Sequence, residues 1–366
     1  MSTSERLILL GTHATSIHSV LFDPETRTLK KGVSTTNLPA QPSWLIRHPL
    51  HPELILANGW VDNKLFVYKL AGKDGKLERL AEADTGGEGP THFAILPDGS
   101  EVVIAHYRSG SVTVLPLGAD GLFAASAPTL DRIYKGTYTP MKHWRQEAAH
   151  MHQVVLHNGE ILVPDLGANK IWRWKWDTEA KKLNMTGAIE DGFEDGDGPR
   201  HLVVHPSGSH VYTLNEVGGV LTIHTLPSSG ESKLVKRYSI LPPDDDGRRR
   251  DTGGAEIILL PPIKPEGRML LILSNRDSPF EEDTMALFSV SQTDGADVVR
   301  APRGWIGGIG KHIRAVEQDE SGRYVIATAR DTGRVVVLER AGEDGLELQE
   351  VARLEGFEST VVPLWI

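Results

Sequence analysis

The sequence predicts an all-β fold, a seven-bladed β-propeller whose ring is closed by its C-terminal strand. Three observations predict it. A strand-rich motif recurs seven times along the 366 residues, the C-terminal stretch supplies the one strand the first copy lacks, and no long amphipathic helical pattern appears. Each copy reads as several strands of roughly 4 to 7 residues, rich in β-branched and aromatic side chains and parted by Pro/Gly/Asp turns.

The copies follow in order. "RLILLGTHATSIHSVLFD" (6–23) holds two strands but no strand before them. "QPSWLIRHPLHPELILANGWVDNKLFVYKL" (41–70) is a faint full copy, and "GEGPTHFAILPDGSEVVIAHYRSGSVTVLPL" (88–117) a clear one. "HMHQVVLHNGEILVPDLGANKIWRWKW" (150–176), "GDGPRHLVVHPSGSHVYTLNE" (196–216), "GAEIILLPPIKPEGRMLLILSNRDSPFEEDTMALFSV" (254–290) and "KHIRAVEQDESGRYVIATARDTGRVVVLER" (311–340) complete the set. The second strands are expected to begin at Leu7, Leu54, Glu101, Glu160, His210, Arg268 and Arg323, which gives steps of 47, 47, 59, 50, 58 and 55 residues. "ESTVVPLWI" (358–366) resembles the inner strand "QPSWLI" and is expected to complete the first blade, because an open ring leaves an unpaired strand edge. Residues 1–366 are therefore expected to form one propeller domain.

Composition narrows the function. With 39% hydrophobic and 24% charged residues the chain is an ordinary globular one, and its net charge of −10 argues against nucleic acid or an anionic membrane as partner. Without cysteine there is no disulfide, thiolate metal site or cysteine nucleophile. The N-terminus offers only four consecutive apolar residues and no stretch approaches a membrane span, so a cytoplasmic location is expected.

In a propeller the first strand of each blade lines the central channel, and the turns at one end gather around its mouth. Polar residues recur at strand starts (His92, His152, Arg200, Glu256, and His312 with Arg314) and at second-strand ends (Asn58, His106, Asp165, Asn215 with Glu216, Asn275 with Arg276, and Arg330). They are expected to converge. A merely wet channel would carry such residues too, as protein-binding propellers do. Two arginines, a carboxylate and histidines around one cavity nonetheless suit a carboxylated or phosphorylated substrate, since guanidinium grips such anions in two-pronged fashion and His and Glu move protons near neutral pH.

The motifs "GPTHF", "HYRSGSVTVLPL", "MHQVVL", "ILVPDLGANKIW", "GDGPRHLVVHPSGSHVYTLNE", "GAEI" and "LSNRD" together resemble the lactonase propeller family, which includes bacterial-type 6-phosphogluconolactonase and the fungal carboxy-cis,cis-muconate cyclase. The resemblance covers nearly the whole chain. It implies a seven-bladed, metal-independent enzyme with no cofactor and a small anionic lactone or muconate as substrate. It implies His152, Arg200, Glu216 and Arg276 as catalytic residues, with His92, Asp165, Asn215, Glu256 and His312 as substrate-binding ones. Hydrolysis of a sugar phospholactone ranks first, with His152 as general base, one arginine on the oxyanion, the other on the anionic group, and Glu216 orienting His152 or shuttling the proton. Muconate cycloisomerisation is the alternative, and a non-catalytic protein-binding propeller a second one. The chain departs from the family at "KHIRAVEQDE" and "ATARD", which leaves the substrate open.

Other signals read more simply. His150 and His152 share a strand face as metal ligands do, but no third ligand is indicated nearby. "GWIGGIGKH" (304–312) lacks the first glycine and the Ser/Thr of a phosphate loop. Trp172, Trp174 and Trp176 are expected to pack between blades, His205 and His210 to lie on the surface, and "DDDGRRRD" (244–251) to be a solvated loop. The insertion 130–150 is either a cover for the channel mouth or a loop without a role.

Overall fold

The computed structural model describes residues 5–245 and 252–366, and Asp246 to Asp251 of the charged loop lie outside the described residues. The chain forms seven four-stranded sheets, the strand order of a seven-bladed β-propeller. The second strands Leu54–Gly59, Glu101–His106, Glu160–Asp165 and His210–Asn215 begin on the predicted residue, and Arg6–Thr12, Met269–Arg276 and Tyr324–Ala329 within one residue of it. The C-terminal strand Thr360–Trp365 lies beside Arg6–Thr12 as the first strand of the first sheet, as expected.

The chain falls into two compact units: residues 1–6, 21–31 and 199–365 in one, and 7–20, 32–198 and 366 in the other. In the first, sheets five (199–239), six (253–306) and seven (313–354) share their cores pairwise. Met269, Leu271 and Leu273 of sheet six pack with Tyr212, Leu214, Leu221 and Ile223 of sheet five. Leu270 and Ile272 pack with Val325, Ala327 and Val336 of sheet seven. Successive strand residues point to opposite faces, so a strand buried on both faces reads as the unbroken run "MLLIL". The second unit repeats the device: in sheet three (90–135), Val102 and Ile104 face sheet two (45–84), whereas Val103 and Ala105 face sheet four (155–189).

The insertion has a structural role that the sequence reading missed. Ile133–Lys135 pairs with Ser111–Thr113 as the outer strand of the third sheet, so part of this segment is a blade strand. Trp172 and Trp174 are buried in the core between sheets three and four, with Trp176 at its edge. No helix is long and apolar enough to cross a membrane among the described residues.

Candidate active site

In the unit built on residues 199–365, a β-bulge positions the first functional side chain. Pro199 pairs with Asn215 and His201 with Leu214, which leaves Arg200 outside the ladder. The same register shift recurs at the inner-strand starts of sheets six and seven, between Gly254 and Ile257 and between Ile313 and Ala315. Arg200 is fully buried; its Nη1 donates to the Ala255 carbonyl, and its Nε lies 2.8 Å from Glu216 Oε2. Glu216 directly follows the strand His210–Asn215, and its carbonyl accepts from Gly254 N at 2.9 Å. A Cβ on Gly253 would come within 2.9 Å of that carbonyl oxygen, so glycine is required for this approach.

Arg276, the last residue of its strand, donates from Nη2 to Glu216 Oε1 at 2.5 Å. Glu216 is thus shared between two guanidiniums, one on each oxygen, and the trio keeps one surplus positive charge. Burial pulls Arg200 down to about 10, still protonated at neutral pH. Arg200 Nη2 and Arg276 Nε are buried and have no hydrogen-bond partner among the described residues. Buried donors of this kind are costly unless something accepts from them, and an anion would.

Beyond Arg276 the chain of contacts continues. Its Nη1 stands 3.4 Å from His312 Nε2, and His312 Nδ1 lies 2.8 Å from Asp277 Oδ1. Burial lowers the His312 pKa against the opposing pull of Asp277, with Arg276 adding to the lowering. Asp277 is held below its ordinary value: burial would raise it, but the bond to His312 and the charges of His312, Arg276 and Arg330 outweigh that. Asp277 was missed by the sequence reading, although "LSNRD" sets it next to Arg276.

Glu256, expected to bind substrate, is bonded within the fold. Its Oε1 is 2.6 Å from His201 Nδ1 and also accepts from Ile257 N, so it is engaged within the fold. Burial pushes Glu256 up to about 8 and holds His201 well below its usual range. Asn215 is likewise engaged, donating to Thr222 Oγ1 at 3.0 Å and to the carbonyls of Thr213 and Val220. His205, expected on the surface, is buried and ties sheet five to sheet six through Nε2 and the Ser291 carbonyl at 2.9 Å. His210 is half-buried.

The unit built on residues 32–198 carries the remaining expected residues. His152 is buried, its N–H donates to the Pro164 carbonyl at 2.9 Å, and the Tyr107 ring stands edge-on to it at 5.8 Å. Tyr107 stacks on His150, whose Nδ1 meets the Tyr107 carbonyl and whose Nε2 meets Glu147. His92 Nδ1 accepts from Val154 N at 3.3 Å, and its ring lies 4.1 Å from that of Trp44. Asp165 accepts on Oδ1 from His150 N and Ala168 N and on Oδ2 from Trp172 Nε1. Both its oxygens therefore hold the fold.

Asp277, His312 and Asp331 each bring one possible metal-ligand atom within 4.8 Å of the others. The charge there is already balanced by guanidinium: Arg330 Nε donates to Asp331 Oδ1 at 2.7 Å, and Arg276 faces the imidazole. The group suits proton handling better than a cation.

Comparison with known proteins agrees with this fold. The chain is 26% identical to 6-phosphogluconolactonase of Formosa agariphila over 287 residues, 77% of this chain and 75% of that protein. It is 26% identical to the Bacillus subtilis 6-phosphogluconolactonase over 283 residues, 76% of this chain and 74% of that one. Among solved structures, the Pseudomonas aeruginosa periplasmic gluconolactonase superposes with a TM-score of 0.82 at 20% identity over 99% of both chains. A Lactobacillus plantarum protein does so with 0.81 at 19% identity, again over 99% of both. The family model for lactonase, 7-bladed beta-propeller, matches residues 6–362, and the chain belongs to that family.

Proposed function

We propose that this chain is an enzyme that hydrolyses a sugar lactone bearing an anionic group, with 6-phosphogluconolactone as the first substrate to test. One observation carries the reading: Arg200 and Arg276 flank a single carboxylate and keep buried donors without acceptors. Such a pair binds a phosphate or carboxylate and faces the negative charge that grows on the carbonyl oxygen during attack. The names of the Formosa and Bacillus relatives point to the same substrate class. Glu216 holds both guanidiniums, so it acts by positioning them and not as a proton shuttle. The family resemblance implies His152 as a catalytic residue, but it belongs to the other compact unit, and this reading rests on the arginine pair without it.

The test is turnover by the purified protein, with chelator present, of 6-phosphogluconolactone, neutral sugar lactones and 3-carboxy-cis,cis-muconate. The phospholactone is expected to be hydrolysed above its spontaneous rate, and chelation to leave the rate unchanged. In Arg276→Lys, kcat/KM is expected to fall roughly 100-fold, because an ammonium cannot keep the two-pronged geometry. Turnover of the muconate alone would transfer the site to cycloisomerisation.

A further inference from the structure

A histidine beside the arginine pair has the surroundings of a base. His312 sits at φ 61°, a backbone conformation that side chains rarely adopt. A single buried carboxylate clamps it there: Asp283 accepts from His312 N at 2.6 Å, from Ser278 N at 2.8 Å and from Asp277 N at 3.2 Å. The Arg330 N–H adds a bond to the His312 carbonyl at 3.0 Å. A strained conformation persists where the surroundings over-determine it, and such places cluster at functional sites.

The ring's tautomer follows from its partners. Ionised Asp277 can only accept, so Nδ1 carries the hydrogen; the Arg276 guanidinium can only donate, so Nε2 presents its lone pair. The 3.4 Å contact with Arg276 is long and yields readily when a substrate engages that arginine.

We propose that His312 is a catalytic residue of the lactonase reaction, accepting on Nε2 the proton of the attacking water, with Asp277 as its positioning residue. This rests on the hydrolase reading above. The water oxygen bonds to the lactone carbonyl carbon as its proton passes to Nε2, and the carbonyl oxygen takes the electron pair opposite guanidinium. Collapse breaks the bond to the ring oxygen, which receives the proton back from Nε2. One water is added, and the hydroxy acid product ionises.

The groups facing the imidazole are Asp277 and Arg276 on sheet six, Arg330 and Asp331 on the turn of sheet seven, and Asp283 at its N–H. Lys311 Nζ donates to Asp283 Oδ1 at 3.2 Å and to the carbonyls of Ser278 and Phe280, so the clamping carboxylate is paired with an ammonium. Burial and the two guanidiniums favour the neutral ring, the form a base needs at pH 7.

The test is the pH profile of kcat and KM for 6-phosphogluconolactone in the wild type, His312→Asn and Asp277→Asn, with thermal melts as the folding control. Asparagine suits position 312 because it tolerates positive φ. His312→Asn is expected to lose about 10²- to 10⁴-fold in kcat with little change in KM. In Asp277→Asn the acidic limb is expected to move to lower pH, because the carboxylate that favoured protonation is gone; a merely structural role would leave the limb in place. An active wild type with His312→Asn within about threefold in kcat, or with its loss confined to KM, overturns the assignment. A wild type inactive on every lactone overturns the hydrolase reading, and this one with it. Nitrogen NMR of His312 in the wild type is expected to show the Nδ1–H tautomer, and an Nε2–H tautomer overturns the dyad directly.

Discussion

Glu256 and His201, 2.6 Å apart and both buried, show how one residue couples this fold to pH. Burial raises Glu256 from 4.5 to about 8, with Arg200 pulling the other way. Between those values the folded chain keeps a proton that the unfolded chain releases, so this contribution is complete below about pH 4.5 and is lost as the pH rises through about 8. Glu256→Gln cannot ionise and still reaches His201. Its melting temperature is expected to match that of the wild type near pH 5 and to exceed it by a few degrees near pH 9. Parallel melting curves across the range would show that the carboxyl does not carry this proton. The same low-dielectric surroundings leave the charges of Arg200, Glu216 and Arg276 weakly screened.

At the scale of the element, two devices set side chains. Bulges at the inner-strand starts release Arg200 from the ladder and shift the register at Gly254 and Ile313, which a strict two-residue alternation would not do. The insertion is fixed by polar bonds to its neighbours: buried Gln146 donates to the Leu166 carbonyl and to Asn169 Oδ1, and its Oε1 accepts from Gly196 N. The segment also presses against the turn that follows Asp165, where a Cβ on Gly167 would lie 1.6 Å from the Ala148 carbonyl oxygen. Backbone cannot give way as a side chain does. Gly167→Ala is therefore expected to cost about 3 kcal/mol, at the upper end for overpacking, and a denaturant titration checks it. A loss below about 0.5 kcal/mol would mean that residues 146–150 are held less firmly than their bonds imply.

For the whole molecule, the decisive feature is that within each compact unit neighbouring sheets share their cores. Sheet six divides alternate residues of one strand between its two neighbours, so sheets five, six and seven depend on one another. The C-terminal strand is the first strand of the first sheet, with Val361 and Val362 buried. Removing residues 359–366 exposes the edge of Arg6–Thr12 to pairing with other chains. The truncated protein is expected to melt earlier and to associate, and size-exclusion chromatography beside a thermal melt reads both. A monomer with the full-length melting temperature would remove the closing strand from the account of stability.

The repeat, the strand starts and the partner of the first strand were legible in the chain, because strand alternation, turn residues and blade period are local patterns that each copy states again. Arg200, Glu216 and Arg276 were legible as polar interruptions in those copies. Which of them touch was not, since Arg276 meets Glu216 across 60 residues and His201 meets Glu256 across 55, and bulges outside the alternation set those pairings. Asp165 and Asn215 looked like cavity residues because their positions recur, yet they face the fold, where buried backbone groups need partners. Local periodicity thus determined the architecture from the sequence alone, whereas the tertiary structure decided which polar side chains are tied into the fold and which keep donors for a ligand, because a hydrogen bond depends on neighbours that only folding brings within 3 Å.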